Sequence, residues 1–182
     1  AKGKKRDEAV LDVVKGVWKK HKRIVFDGDG YSDAWHKEAA KRGLSNLRTT
    51  PDALPWLVEK QTVKLFERYE VLSERELESR FEVAVEQYST KLNIESEVAA
   101  SIARTMILPA AVRYLAELKA AGVTAPATEL KGLTDDLVKK LKALEKANVS
   151  HPAEEGLELA KYMRDKVIPA MDATREVADA LE

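Results

Sequence analysis

The chain has 182 residues, in which 31 Lys and Arg balance 31 Asp and Glu, and it contains no cysteine. This length predicts one domain, or one domain with an appendage, that buries a core without disulfide or metal support. The neutral charge argues against nucleic-acid binding, and the lack of cysteine excludes disulfides and thiolate chemistry. Because no uninterrupted apolar run approaches about 18 residues, we expect a cytoplasmic protein that enters no membrane.

Residues 1–72 are predicted to form short helices joined by ordered loops. Apolar residues recur at helical spacing from Val10 to Trp18, which predicts a first helix that ends near His21. The run Arg23–Phe26 has β character, and a turn must follow it because Asp and Gly alternate there. Further short helices are predicted to begin at Ser32, at Thr50 as the cap before Pro51, and at about Gln61.

Residues 73–182 are predicted to form about three long helices. Ser73 and Glu76 have the spacing of a capping box, and the helix that follows reaches Ala121, with Pro109 as a kink and Asn93 as a second irregularity. After a loop over residues 122–128, a second helix is predicted over Thr134–Lys146. The third runs from about Ala153 to the end, with Pro169 in its middle.

The predicted fold is therefore all-α: short helices and ordered loops followed by an antiparallel bundle of about three long, proline-kinked helices, all in one structural unit. The segments around the two prolines, 107–110 and 167–170, look alike in sequence. The match is too short to indicate a duplication, and the simpler interpretation is that both prolines bend long helices around a shared core.

Motifs for chemistry are missing from the sequence. The Asp-Gly-Asp-Gly segment after Phe26 resembles the start of a calcium loop, but Tyr31 and Ser32 occupy positions where that loop needs a ligand and a glycine. The three histidines lie in different segments without metal-site spacing, and no glycine-rich phosphate loop or nucleophile motif occurs. We therefore predict no catalytic, cofactor-binding or metal-binding residue in this chain.

The loop-rich segment from Phe26 to Thr50 is the predicted place for contacts with another domain or a partner, because specific polar and aromatic residues concentrate there. The candidate contact residues are Phe26, Asp27, Asp29, Tyr31, Trp35, His36, Asn46 and Arg48.

Several motifs of the chain resemble the C-terminal region of type III glutamine synthetases. Their order and spacing are kept across nearly the whole chain. The motifs are the run Arg23–Ala39, its continuation Arg42–Pro55, the segment Leu72–Arg80, the step Glu86-Gln87-Tyr88 with Asn93-Ile94-Glu95, the segment Ile107–Ala110, and Tyr162–Asp165 with Val167–Met171.

The resemblance implies a parent enzyme that makes glutamine from glutamate, ammonia and ATP with magnesium or manganese. It also implies that the metal-binding carboxylates and the ATP- and glutamate-binding arginines lie in a preceding catalytic domain that maps onto no residue here. Together with the basic start that lacks Met, it leads us to expect a domain fragment that is inactive alone. Its expected partners are the catalytic domain and the neighbouring subunits of a homo-oligomer.

Two other functions stay open at this point. One is a stand-alone helical protein-binding module built on the same segment, which an open reading frame without a catalytic barrel upstream would favour. The other is a small helical metalloenzyme, which stoichiometric metal in the purified protein would favour.

Overall fold

A computed structural model describes residues 5–151 and 156–182. These residues form helices and turns without any β-strand, which confirms the predicted all-α class. Contacts between Cα atoms divide the chain into two compact units, Ala1–Asn46 and Leu47–Glu182. The sequence analysis divided the chain at residue 72, where short helices give way to long ones. That this boundary separates two parts of one domain stays a prediction.

From residue 5 onward, the first unit contains two α-helices, α1 (Arg6–His21) and α2 (Asp33–Lys41). The Ser32 hydroxyl caps α2 by accepting from the backbone N–H of Trp35, and Gly43 follows the helix with φ +71°, as its position predicted. The β character predicted from Arg23 is wrong for the start of that run. Lys22–Ile24 form a single 3-10 turn, which the N–H of Val25 closes by donating to the Lys22 carbonyl.

The second unit begins with short helices, α3 (Thr50–Ala53), a 3-10 turn over Leu54–Leu57, and α4 (Lys60–Arg68). The cap of α3 is Thr49, one residue before the predicted Thr50. Thr49 has an extended backbone, and its carbonyl accepts the first helical hydrogen bonds from Asp52 and Ala53. Pro51 therefore lies in the first turn, where a missing N–H costs nothing.

One long helical rod follows, made of α5 (Glu74–Ile102), a first π turn (Ala103–Ile107) and α6 (Leu108–Ala120). Its 47 residues span about 70 Å. The predicted capping box is confirmed, because Ser73 and Glu76 exchange both hydrogen bonds. The irregularity predicted at Asn93 is wrong: Asn93 stays helical, and its amide donates to the Glu97 carboxylate at 3.2 Å.

The remaining helices are α7 (Thr124–Val149), α8 (Leu157–Tyr162), a second π turn (Met163–Val167) and α9 (Ile168–Leu181). The loop predicted over residues 122–128 is mostly helix, because Pro126 occupies the first turn of α7 and the connection from α6 is very short. The predicted helix start at Ala153 lies outside the described residues.

Each of the two mid-helix prolines lies two residues after the last residue of a π turn. The N–H of Leu108 donates to the carbonyl of Ala103, and the N–H of Ile168 donates to that of Met163, each five residues back. A proline in an unbroken α-helix would clash with the carbonyl four residues back and leave it without a donor. The wider turn relieves this conflict. The bend predicted at Pro109 and Pro169 stays a prediction.

The core of the second unit lies where the long rod meets α7 and α9. Ala100 and Ala103 of the rod pack against Leu141 and Leu144 of α7, and Ala99, Ala170 and Met171 surround them. The alanines let the helix backbones approach closely, while the leucines fill the space between them. The first π turn therefore belongs to the core.

By length and composition alone, the rod Glu74–Ala120 is long and apolar enough to cross a membrane. A core helix of a soluble protein passes the same test, so this finding is weak evidence. In this rod, however, only 17% of the most apolar window is buried. The prediction that the chain enters no membrane stays a prediction.

We expect substitution by alanine to have opposite effects on stability at two glycines, one just before α7 and one inside it. Gly122 has φ +71°, which an L-residue adopts at a cost, so Gly122→Ala should lower the free energy of unfolding by about 1 kcal/mol. Gly132 lies in open space inside α7, so Gly132→Ala should raise it by roughly 0.5–1 kcal/mol. Urea unfolding of both variants measures the difference, and equal effects would contradict the backbone argument.

Candidate functional site

An ion-pair cluster around Arg164 joins the start of the second unit to its C-terminal helices. The guanidinium donates to Asp165 through Nε and Nη2, at 2.6 and 2.9 Å, and through Nη1 to Asp52 Oδ1 at 2.7 Å. The Thr49 hydroxyl donates to the other Asp52 oxygen at 2.5 Å. Arg164 lies in the second π turn, and Asp52 lies in α3, 112 residues earlier.

The cluster holds its members in their charged forms. The hydrogen bond from Thr49, together with the nearby guanidinium of Arg164, lowers the pKa of Asp52. The hydrogen bonds from Arg164 lower the pKa of Asp165, and the two carboxylates in turn raise the pKa of Arg164. Tyr88 lies close enough to feel these charges, and burial raises the pKa of its hydroxyl.

Three motifs that are far apart in the sequence therefore meet at one place. Thr49 and Asp52 come from the Arg42–Pro55 segment, Tyr88 from the Glu-Gln-Tyr step, and Arg164 with Asp165 from the Tyr162–Asp165 segment. None of these five residues was among the predicted contact residues; the nearest of those, Arg48, directly precedes Thr49. The sequence contained the parts of this cluster, but no local pattern indicated that they pair.

The first π turn carries a second ion pair of the same design. Arg104 is the second residue of its π turn, as Arg164 is of the other, and it forms two parallel hydrogen bonds of 2.6 Å to Glu145 of α7. The hydrogen bonds from Arg104 lower the pKa of Glu145. Each π turn thus directs an arginine to a carboxylate on another helix.

The predicted contact residues of the first unit fall into two groups. Phe26 and Trp35 pack with ring centroids 4.9 Å apart, and the Asn46 amide lies 3.1 Å from His36 Nδ1, so these four half-buried side chains tie the loop to α2. Asp27, Asp29 and Tyr31 are exposed.

The exposed group sits on a defined turn. The Asp29 carboxylate accepts from the N–H of Tyr31 at 2.9 Å, and its carbonyl accepts from the Ser32 hydroxyl. The Tyr31 side chain is 96% exposed, and Arg48, in the second unit, is exposed as well. The role of all eight residues in contacts stays a prediction.

A further surface, which the sequence did not single out, is the apolar face of α1. No residue of α1 is buried, and its large apolar side chains are between 51% and 64% exposed. They form a shallow groove with residues of the turn that follows. We call this surface the α1 face; it consists of Val10, Leu11, Val13, Val14, Val17 and Trp18, with Ile24 and Val25 beside them.

The part of the chain that the structure describes contains no cluster of metal-ligating side chains. Within residues 5–151 and 156–182, no three His, Asp or Glu side chains come together as metal ligands. The carboxylates of the Arg164 cluster are already occupied by arginine and threonine. We therefore derive no step through ATP, magnesium or manganese in this chain.

Replacing Arg164 with methionine should destabilise the second unit at neutral pH but hardly at acid pH. The pKa values of Asp52 and Asp165 are lowered in the folded state, so their contribution to stability is present above about pH 4 and disappears as they protonate below it. Urea unfolding at both pH values should show the gap between wild type and variant closing in acid. The control is Arg175→Met, which removes an exposed pair with Asp179 and should change little. A gap that persists in acid would contradict the ion-pair explanation.

Residues 5–151 and 156–182 thus form an all-α protein in which the Arg164 cluster and the α1 face are the notable surfaces. The family model for the "Glutamine synthetase C-terminal domain" matches residues 9–125. The chain belongs to this family.

Curated relatives agree with the family. The chain is 33% identical to a glutamine synthetase of Butyrivibrio fibrisolvens, with 99% of this chain and 28% of the relative covered. It is 30% identical to a type-3 glutamine synthetase of Dictyostelium discoideum, with 97% and 27% covered. A glutamine synthetase of Bacteroides fragilis is 38% identical over 60% of this chain and 15% of the relative. The chain thus spans little more than a quarter of the first two relatives.

Proposed function

We propose that the chain serves as the non-catalytic helical C-terminal domain of a type III glutamine synthetase, and that it packs on the catalytic part of that enzyme through the α1 face. The observation that carries this proposal is the complete lack of buried residues in α1, although one side of the helix is apolar.

An amphipathic helix with an exposed apolar face is stabilised when that face packs against another surface. Isolated helices of about this length are marginal in water, and most helical stability in proteins comes from packing an apolar face. An exposed apolar patch that contains several valines and a tryptophan is typical of an interface. In the first two relatives, more than two thirds of the relative's own length lies outside the region that this chain matches. That remaining part offers a surface for such packing.

The parent enzyme would make glutamine from glutamate, ammonia and ATP with magnesium or manganese, in the cytoplasm, as a homo-oligomer. This chain would help to position the catalytic part and would supply no catalytic residue. By packing on the catalytic part, it would fix that part's C-terminal end and present further surfaces, such as the turn around Tyr31, to neighbouring subunits.

A chimera tests the proposal. The 182 residues replace the matching quarter of the Butyrivibrio fibrisolvens enzyme, and ATP-dependent glutamine formation is measured. We expect the chimera to be active and the 182-residue chain alone to be inactive. Val14→Asp with Val17→Asp in the α1 face should abolish assembly and activity of the chimera, because two carboxylates would be buried without partners.

The matched control is Val149→Asp, at a side chain that is 78% exposed at the end of α7. Glutamine formation by the chain alone would overturn the non-catalytic role. Full activity of the Val14→Asp, Val17→Asp chimera would overturn the α1 face as the contact. A natural reading frame without an upstream catalytic region would instead favour a stand-alone binding module.

A further inference from the structure

We propose that a cavity between α5 and α8 binds a small molecule that carries an ammonium group on an apolar body. The cavity has a volume of about 510 Å³, which is within the range of ligand sites in proteins. We call it the α5–α8 cavity. The described residues that line it all belong to the second unit, so the inference goes beyond the proposed function and does not depend on it.

One wall of the α5–α8 cavity is a polar stripe of α5. Its members are Glu82, Glu86, Ser89 and Asn93, which recur at helical spacing and therefore follow one side of the helix. The side chains of both glutamates are exposed. Within residues 5–151 and 156–182, no lysine or arginine lines the cavity. The charge of this wall therefore favours a cation over an anion.

The opposite wall of the cavity is apolar. Phe81 and Val85 line it beside the polar stripe, and Leu157, Leu159 and Met163 line it from α8 and the second π turn. Val85 and Met163 are almost fully buried, and the other three are partly buried. Because apolar surface gains free energy when it leaves water, the ligand that fits this wall has an apolar portion.

Ser89 carries a buried hydroxyl that the fold leaves unpaired. The residue is 5% exposed, and its Oγ has no hydrogen-bond partner among the residues that the structure describes. Buried hydroxyls ordinarily have a partner, because burial removes their hydrogen bonds to water.

The position of this hydroxyl matches the proposed ligand. Ser89 lies three residues after Glu86, on the same side of α5, and four residues after Val85. An ammonium group beside Glu86 can therefore donate hydrogen bonds to the carboxylate and to Ser89 Oγ, while the apolar body lies against Val85.

Titration of the 182-residue chain with hexylamine tests the proposal. Nitrogen–proton correlation spectra should show amide shifts that saturate with a dissociation constant on the order of 1 mM. The shifts should concentrate in residues 81–93 and 157–163. Hexanoate has a similar chain with the opposite charge, and it should bind at least about tenfold more weakly than hexylamine.

Two sets of variants separate charge from structure. Glu82→Gln with Glu86→Gln should raise the dissociation constant of hexylamine by about tenfold and leave that of the neutral hexanol unchanged. The matched control, Glu117→Gln with Glu129→Gln, removes two exposed carboxylates that do not line the cavity and should leave both constants unchanged. Ser89→Ala should raise the hexylamine constant by about threefold, because one acceptor is lost.

Several results would overturn the proposal. Hexylamine might cause no saturable shifts, or the shifts might lie outside α5 and α8. Hexanoate binding as tightly as hexylamine would contradict the charge argument, and so would unchanged hexylamine binding in the Glu82→Gln, Glu86→Gln variant. Circular dichroism confirms that the variants keep their helices.

Discussion

Leu141→Ala is expected to lower the free energy of unfolding of the second unit by about 3 kcal/mol. Leu141 is fully buried in α7, between Leu144 and the alanines of the long rod. Removing its side chain leaves a cavity that these small neighbours cannot fill, because alanine has no rotamer with which to reach into it. Urea unfolding followed by far-ultraviolet circular dichroism measures the loss.

The control for this prediction is Leu65→Ala in α4, where the leucine is 53% exposed. Its truncation should cost less than about 1 kcal/mol, since little apolar area returns to water. If both variants lost the same stability, the core would not be centred on α7.

Gly28→Ala is expected to destabilise the first unit by about 1–2 kcal/mol. A Cβ added at Gly28 would lie 2.5 Å from Cζ of Phe26, so the phenyl ring would have to move. Because that ring packs on Trp35, its displacement loosens the contact that holds the loop to α2. Hydrogen exchange of the backbone in α2 should become faster in the variant.

Gly30→Ala provides the matched control two residues away. A Cβ at Gly30 meets no atom within 4 Å, and its φ is not in the left-handed region, so exchange in α2 should stay as in the wild type. Equal protection of α2 in both variants would contradict the role given to Gly28.

Local signals located the helix ends well. The capping box at Ser73, the cap at Ser32 and the glycine after α2 are short-range patterns, and each is present where the sequence predicted it. The predicted helix boundaries were wrong where a residue type is compatible with two kinds of local structure. Pro126 is compatible with a loop and equally with the first turn of a helix, and it lies in the first turn of α7.

The candidate sites were harder to predict because they depend on pairing across the chain. Arg164 and Asp52 are 112 residues apart, and nothing near either residue indicates the other. The stripe from Val10 to Trp18 was identified correctly as helical, but periodicity shows only which side of a helix is apolar. It does not show where the covering surface lies, and no residue of α1 is buried.

The two π turns have a consequence for how the helices of this family tolerate change in length. A π turn contains one residue more than a regular helical turn, so side chains beyond Pro109 and Pro169 are rotated by about 100° from where an unbroken helix would place them. Ordinarily a single-residue deletion in a helix turns everything downstream to the wrong side. Here the long rod and the α8–α9 segment each hold one extra residue at a known place. A deletion there would convert the π turn to regular helix, which conflicts with the proline that follows. One-residue gaps in relatives should therefore gather at these two turns and coincide with loss of the proline.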